Sequence, residues 1–196
     1  MLGQFLLSFT GIFVAMDIIG TVPMYLSMTG GLEARERSIV VNKSILVALV
    51  VAILFMFFGQ KLFAHLGITI PDFKIAGGLI LLLVSLADLL GGPEAVQKSS
   101  GSTGIVPLAV PLITGPGVLT AVILQSSTTG ILITLMAILL NFVIAWIILL
   151  KCETVTKLIG KDGTAVISKI AALLLAAISV AMIRSGIFEA IKNNIL

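Results

Sequence analysis

The sequence predicts an all-α polytopic membrane protein, and two observations carry that prediction. The first is composition: 59% of the residues are hydrophobic and 11% are charged, and the mean hydropathy is +1.24. Soluble domains are about half apolar and carry about 25% charged residues. The second is pattern, since the apolar runs are continuous, as in helical spans, whereas the strands of a membrane barrel alternate apolar and polar residues.

Six apolar stretches are long enough for the span of about 20 residues that a transmembrane helix requires. They are residues 5–28, 39–64, 70–90, 105–128, 131–151 and 166–188. Pro71 and Gly91–Pro93 are helix-boundary signals at the two ends of the third stretch. Because the remaining loops are short, we expect a single transmembrane domain over residues 1–196. It divides into a first half, a Gly- and Ser-rich linker and a second half, at residues 1–90, 91–104 and 105–196.

An internal repeat relates the two halves. The segment Lys74–Leu79 opens the third span, and the similar segment Lys169–Leu174 opens the sixth, 95 residues later. The same offset aligns Gly20 with Gly115. Each half has an odd number of spans, so the second copy must enter the membrane from the opposite face. We therefore predict two inverted three-helix repeats, as in many secondary transporters; the alternative is a chance recurrence of short apolar words.

Two of the six spans contain residues that interrupt a helix. The first span has Asp17, Gly20, Thr21 and Pro23 near its middle, and the fourth has Thr114–Gly117. A break frees amides and carbonyls that lipid cannot satisfy, so it persists where protein or a water-filled cavity surrounds it. We predict broken helices 1 and 4 whose freed amides face a cavity near the midplane. The alternative is a pair of proline kinks that only shape the packing.

Freed amides and a partial positive charge at the start of a half-helix suit a carboxylate. Small side chains at both breaks leave a small cavity, and nearby hydroxyls add hydrogen bonds. The substrate-binding candidates are Gly20, Thr21, Pro23, Thr114, Gly115, Pro116, Gly117, Thr120 and Asn141. For Asn141, inside the fifth span, a hydrogen bond to a neighbouring helix is the favoured interpretation, and lining the pathway is the other.

Asp17 is the candidate for coupling transport to a proton or a cation. An acid in the middle of a span costs about 2.5–3.5 kcal/mol on insertion scales, so it requires a polar environment or a partner. A structural role is the alternative, in which the carboxylate accepts amides that the break frees near Thr21 and Val22. The two roles are compatible.

Several classes of function are excluded by composition. The single cysteine, Cys152, leaves no internal disulfide and no thiolate cluster, and the single histidine, His65, leaves no histidine metal site. We therefore expect no metal and no cofactor. The lack of paired intramembrane acids argues against catalysis, so the chain is not expected to be an enzyme. A net charge of +3 is too small to indicate a nucleic acid partner.

The distribution of basic residues predicts the orientation in the cytoplasmic membrane. Eight of them fall in or beside the loops after spans one, three and five, namely Arg35, Arg37, Lys43, Lys98, Lys151, Lys157, Lys161 and Lys169. The opposite side has four, which are Lys61, Lys74, Arg184 and Lys192. This bias places both termini outside. The N-terminus lacks a basic segment and a cleavage motif, so the first span is expected to be retained.

Several segments together resemble the MarC family, also called the small neutral amino acid transporter family. They are Asp17–Pro23, Gly30–Leu32, Arg35–Arg37, Ala76–Leu79 and Pro107–Gly117. The resemblance runs along nearly the whole chain, and the second break is its most specific part. The family often has proline where this chain has Ile18. The resemblance implies six helical spans related to the LysE-type exporters, and transport of small neutral amino acids such as glycine and alanine.

The resulting prediction is a secondary transporter of a small neutral amino acid that works by alternating access in the lipid bilayer. The sequence is compatible with coupling to a proton or to a sodium ion. It is also compatible with assembly into a homo-oligomer. Two other classes of function stay as alternatives. One is an exporter or channel for another small solute or ion, and the other is a membrane enzyme or an assembly subunit.

Overall fold

A computed structural model describes residues 1–29, 32–98 and 113–195. These residues form six helices and no strand, so the all-α class is confirmed for the described part of the chain. The helices are α1 (Leu2–Met16), α2 (Ile18–Thr29), α3 (Ala34–Leu66), α4 (Ile70–Lys98), α5 (Pro116–Thr128) and α6 (Ile131–Ile195).

Four helical segments are long and apolar enough to cross a membrane: Ala34–Leu66, Ile70–Ala87, Ile131–Cys152 and Ala172–Lys192. They correspond to predicted spans two, three, five and six. Predicted span one is divided between α1 and α2, and residues 105–112 of predicted span four lie outside the described residues. The inverted repeat, the exact number of spans and the division into halves remain predictions. Large apolar side chains are exposed along the outside, as a lipid-facing surface requires, including Phe58, Leu83, Leu132, Leu173 and Phe188.

Local signals fix the connection between α3 and α4. Helix α3 begins with a capping box, in which Glu36 accepts a hydrogen bond from the backbone N–H of Glu33 at 3.0 Å. It ends at Gly67, whose φ of 68° is in the left-handed region that glycine adopts at low cost. Thr69 and Asp72 then cap α4 reciprocally, with the Thr69 N–H donating to Asp72 Oδ2 at 2.8 Å and the Asp72 N–H to Thr69 Oγ1 at 3.3 Å.

Helix α5 lies between α1 and α3. Its contacts with α1 run antiparallel, because Ser8 meets Thr129 near one end and Ala15 meets Gly117 near the other. The main buried cluster forms where these helices meet α2 and the first part of α6. Its most deeply buried members include Ile12, Met16, Val41, Val118, Val122, Ile138 and Phe142.

Helix α6 continues through residues 153–165, where the sequence predicts a loop between spans five and six. No proline interrupts this segment, and the backbone remains helical. The last part of α6, Ala172–Lys192, packs antiparallel along α4 through two glycines. A Cβ on Gly78 would lie 2.9 Å from the Ser179 carbonyl oxygen, and one on Gly186 would lie 2.8 Å from that of Pro71. Gly78 and Gly186 therefore allow these two helices to pack closely.

Candidate functional site

The first helix break lies at Asp17. This residue has φ 42° and ψ 53°, in the left-handed region that few residues other than glycine adopt, and aspartate is among the better tolerated there. The sequence predicts an interruption among Asp17, Gly20, Thr21 and Pro23, and the structure places it at the first of these. Gly20–Pro23, where glycine and proline favoured the start of a new half-helix, lie within α2.

The backbone carbonyl of Asp17 is engaged by the start of α2. It accepts the N–H of Thr21 at 2.9 Å and the Oγ1 hydroxyl of the same residue at 3.1 Å. Thr21 is buried, with 3% of its surface exposed. Its hydroxyl, a candidate for substrate binding, thus bonds a backbone carbonyl four residues before it.

The second break precedes α5. Gly115 is the N-cap residue, in an extended conformation with φ −75° and ψ 174°, and Pro116 occupies the first helical position as predicted. Gly115 therefore has a negative φ, which residues other than glycine also adopt easily. No side chain caps this end. The N–H of Leu119 bonds the Gly115 carbonyl at 3.0 Å, whereas the amides of Gly117 and Val118 are ones that an α-helix leaves without an acceptor of its own.

Tertiary contacts hold the second break in place. Thr114 is fully buried, and its hydroxyl donates to the Ala48 carbonyl of α3 at 3.0 Å. The Thr120 hydroxyl donates to the Gly117 carbonyl of its own helix at 3.0 Å. Pro116 fills the space above Gly77 in α4, where an added Cβ would come within 1.7 Å of the proline ring. Both candidate hydroxyls are thus engaged by backbone carbonyls in this conformation.

The two breaks lie next to each other. A Cβ built on Gly117 would lie 3.5 Å from the backbone oxygen of Ala15, which is two residues before Asp17. Their apolar neighbours Met16, Ile18, Ile113 and Val118 each expose 2% or less, whereas Ala15, Asp17 and Gly117 are partly buried. The arrangement brings the interruption at an acidic residue close to the amide-rich start of a helix.

Asn141 occupies the middle of the apolar span Ile131–Cys152, as the eleventh of its 22 residues. It exposes 1% of its surface. Its Nδ2 donates to the Phe9 carbonyl of α1 at 3.2 Å and to the Ala137 carbonyl of its own helix at 2.8 Å. These bonds confirm helix contact, the favoured interpretation from the sequence. Its Oδ1 is buried and has no hydrogen-bond partner among the described residues.

Sequence analysis missed a second group of buried polar residues. Ser8, Gln125, Thr129 and Thr134 come from α1, α5, the α5–α6 turn and α6, and each exposes 9% or less. Hydrogen bonds link them. Gln125 within an otherwise apolar segment is the signal in the sequence that points to this group. Among the described residues, no group of three or more His, Cys, Asp and Glu side chains is arranged to hold a metal ion.

Several apolar membrane-length helices, packed around an interrupted one, define a polytopic integral membrane protein. Residues 2–191 match the MarC family, described as integral membrane proteins. The chain therefore belongs to the MarC family, as its sequence motifs indicate. No solved structure matches it significantly.

Relatives cover nearly the whole chain. A UPF0056 membrane protein of Methanocaldococcus jannaschii is 33% identical over 95% of this chain and 97% of its own length. The UPF0056 inner membrane protein YhgN of Escherichia coli strain K12 is 31% identical over 88% of this chain and 90% of its own. This chain is thus an integral membrane protein with an inner membrane relative.

Proposed function

We propose that this protein is a secondary transporter of small neutral amino acids of the size of glycine or alanine, and that it works by alternating access. The observation that carries the proposal is the contact between the two helix breaks at Ala15 and Gly117. Discontinuous helices whose ends meet inside a membrane bundle are the usual form of a transporter's substrate site. The names of the relatives specify no substrate. The substrate class is the one that the resemblance to the MarC family implies, and the chemistry of the breaks supports a small solute with a carboxylate.

In this proposal the substrate carboxylate binds the amides of Gly117 and Val118 at the start of α5. These two N–H groups lie where the partial positive charge of the helix is concentrated. A carboxylate bound there neutralises that charge and satisfies donors that lipid leaves unpaired. At the second break, Gly115 and Pro116 are small or compact residues, which favours a substrate with a small side chain.

The ammonium group of the substrate requires acceptors, and Asp17 is the proposed one at the first break. The same carboxylate is the proposed site of coupling to a proton or a sodium ion. In this proposal, binding and release on opposite sides of the membrane require movement of the helices around the breaks. Such movement around a fixed central site is the basis of alternating access. The proposal gives the protein no catalytic role.

We further propose that the protein resides in the cytoplasmic membrane with both termini outside. The E. coli relative is an inner membrane protein, and the bias of basic residues supports this orientation. Both chain ends on one side of the membrane require an even number of crossings, and the two broken spans together with the four unbroken ones give six.

A ligand screen on the purified protein tests the proposal. A ligand that binds only the folded state stabilises it by mass action, so the melting temperature rises with ligand concentration. We expect a rise with glycine and alanine and none with leucine, phenylalanine or glutamate. Uptake of labelled glycine into proteoliposomes should then saturate. Flux that rises linearly with solute concentration, with no thermal shift, would indicate a channel for another solute and would contradict the proposal.

A further inference from the structure

A buried polar interface connects α1, α5 and α6 on the side of the bundle where α1 begins. It consists of Ser8, Gln125, Thr129, Thr134 and Asn141. The Ser8 and Thr129 hydroxyls are 2.8 Å apart, those of Thr129 and Thr134 are 3.3 Å apart, and Ser8 Oγ lies 3.4 Å from Gln125 Oε1. None of the five side chains is charged.

A glycine in α1 leaves room for the side chains of this interface. A Cβ on Gly11 would lie 2.8 Å from Gln125 Nε2, so glycine allows the amide to lie against the helix. Phe9, next to Ser8, supplies its carbonyl to Asn141 Nδ2 at 3.2 Å. The polar contacts therefore continue from the hydroxyl group to Asn141 along one side of α1.

The interface lies nearer the start of α1 than the first break does. At a rise of about 1.5 Å per residue, Ser8 lies about 9 Å beyond the start of α1, and Phe9, whose carbonyl binds Asn141, lies about 10 Å beyond it. On the same scale Asp17 lies about 22 Å from the start of α1. The interface thus lies between the start of α1 and the first break.

Asn141 Oδ1 provides a second, independent observation. It is buried and has no partner among the described residues, and leaving such an acceptor unpaired costs about 1–3 kcal/mol. An apolar residue would fill the site without that cost. An unpaired acceptor in the middle of a span is explained by a donor that belongs to a molecule bound only part of the time.

We infer that this polar interface is the outer part of the access pathway between the membrane face at which α1 begins and the two breaks, and that Asn141 Oδ1 accepts a hydrogen bond from the substrate ammonium as it passes. This inference rests on the proposed function. An uncharged pathway rich in oxygen atoms suits a solute with no net charge that carries N–H donors. A solute with a net charge is disfavoured more strongly, because no opposite charge in the pathway or on the solute itself offsets its loss of hydration.

Cysteine accessibility tests the pathway, and the chain is well suited to it because Cys152 is its only cysteine. In a Cys152→Ala background, Asn141→Cys is compared with Val143→Cys in sealed proteoliposomes. Val143 lies two residues further along α6 and is 49% exposed toward the outside of the bundle. A charged, membrane-impermeant thiosulfonate reacts with a thiolate, which requires water, so a lipid-facing thiol is protected.

We expect Asn141→Cys to be modified at least tenfold faster than Val143→Cys. Thr134→Cys, which retains Asn141, should also react, and saturating glycine should slow its modification at least threefold. Equal, slow rates at the interface and lipid-facing positions would overturn the pathway. Rapid modification of Thr134→Cys that glycine leaves unchanged would overturn the ammonium contact, and a glycine thermal shift in the unmodified protein would show that the transport proposal survives.

Discussion

Gly117 in α5 lies against the backbone of Ala15 in α1, so that a Cβ added to the glycine would stand 3.5 Å from the Ala15 oxygen and 4.0 Å from its Cβ. This is an ordinary van der Waals distance, so a methyl group fits. It would nevertheless stand between the first break and the amides of the second. The site thus offers a substitution that changes binding while leaving the packing largely intact.

Replacing Gly117 with alanine should therefore reduce glycine binding at least tenfold with little change in stability. The added methyl group occupies the space of the substrate carboxylate, and alanine favours helix over glycine by about 1 kcal/mol. The measurement is the thermal shift with glycine, together with the melting temperature without ligand. Gly3→Ala is the matched control, because nothing lies within 4 Å of its added Cβ. Unchanged glycine affinity in Gly117→Ala would count against a carboxylate site at this helix start.

The two breaks differ in how well the sequence predicts them. The second was located correctly because its signal is local: Pro116 at the first helical position reads directly as a helix start. The first was located only to a segment, because the helix-breaking residues Gly20 and Pro23 favoured a break within it, whereas both lie inside α2. The turn falls on Asp17, whose side chain tolerates the left-handed region better than most.

Hydroxyl groups near the breaks illustrate a second limit of prediction from the sequence, which does not show where a side-chain donor finds its acceptor. Thr21 and Thr120 were candidates for substrate contacts, yet both bond backbone carbonyls three or four residues before them. Such local bonds are the common state of threonine in a helix.

The polar interface of α1, α5 and α6 was missed for the opposite reason. Ser8 and Thr129 are 121 residues apart in the chain, so only tertiary packing brings them together.

The ion pair between α4 and the end of α6 should contribute little to stability. Lys74 Nζ lies 2.6 Å from Glu189 Oε1, and the two side chains are 23% and 42% exposed. Pairs with this much exposure are worth about 0–1 kcal/mol because solvent screens them. A double-mutant cycle with Lys74→Met and Glu189→Gln, read by reversible unfolding, should give a coupling below about 1 kcal/mol that falls further in high salt. A coupling several times larger would show that the pair is shielded by lipid.

Gly77→Ala should destabilise the fold, in contrast to Gly117→Ala. A Cβ at this position would come within 1.7 Å of the Pro116 ring, which is far inside van der Waals contact. Overpacking of this kind costs about 1–3 kcal/mol, and relief requires α4 to move away from the start of α5. The melting temperature should fall by several degrees, whereas Ala76→Leu, at the exposed neighbouring position, should leave it nearly unchanged. Equal stability of the two variants would show that Pro116 is free to shift.

Asp17→Asn separates the structural role of this residue from its charge. Asparagine, like aspartate, tolerates the left-handed conformation with φ 42°, so the break should persist and the melting temperature should change little. Alanine has neither the charge nor the tolerance of the left-handed conformation, so Asp17→Ala should lower the free energy of unfolding by about 1 kcal/mol or more. Because the carboxylate is proposed both to couple transport to an ion and to accept the ammonium, Asp17→Asn should abolish uptake driven by a proton or sodium gradient, while exchange of glycine across the membrane continues at lower affinity. Undiminished gradient-driven uptake in a stable Asp17→Asn protein would remove Asp17 from coupling and leave it as the residue that turns the chain between α1 and α2.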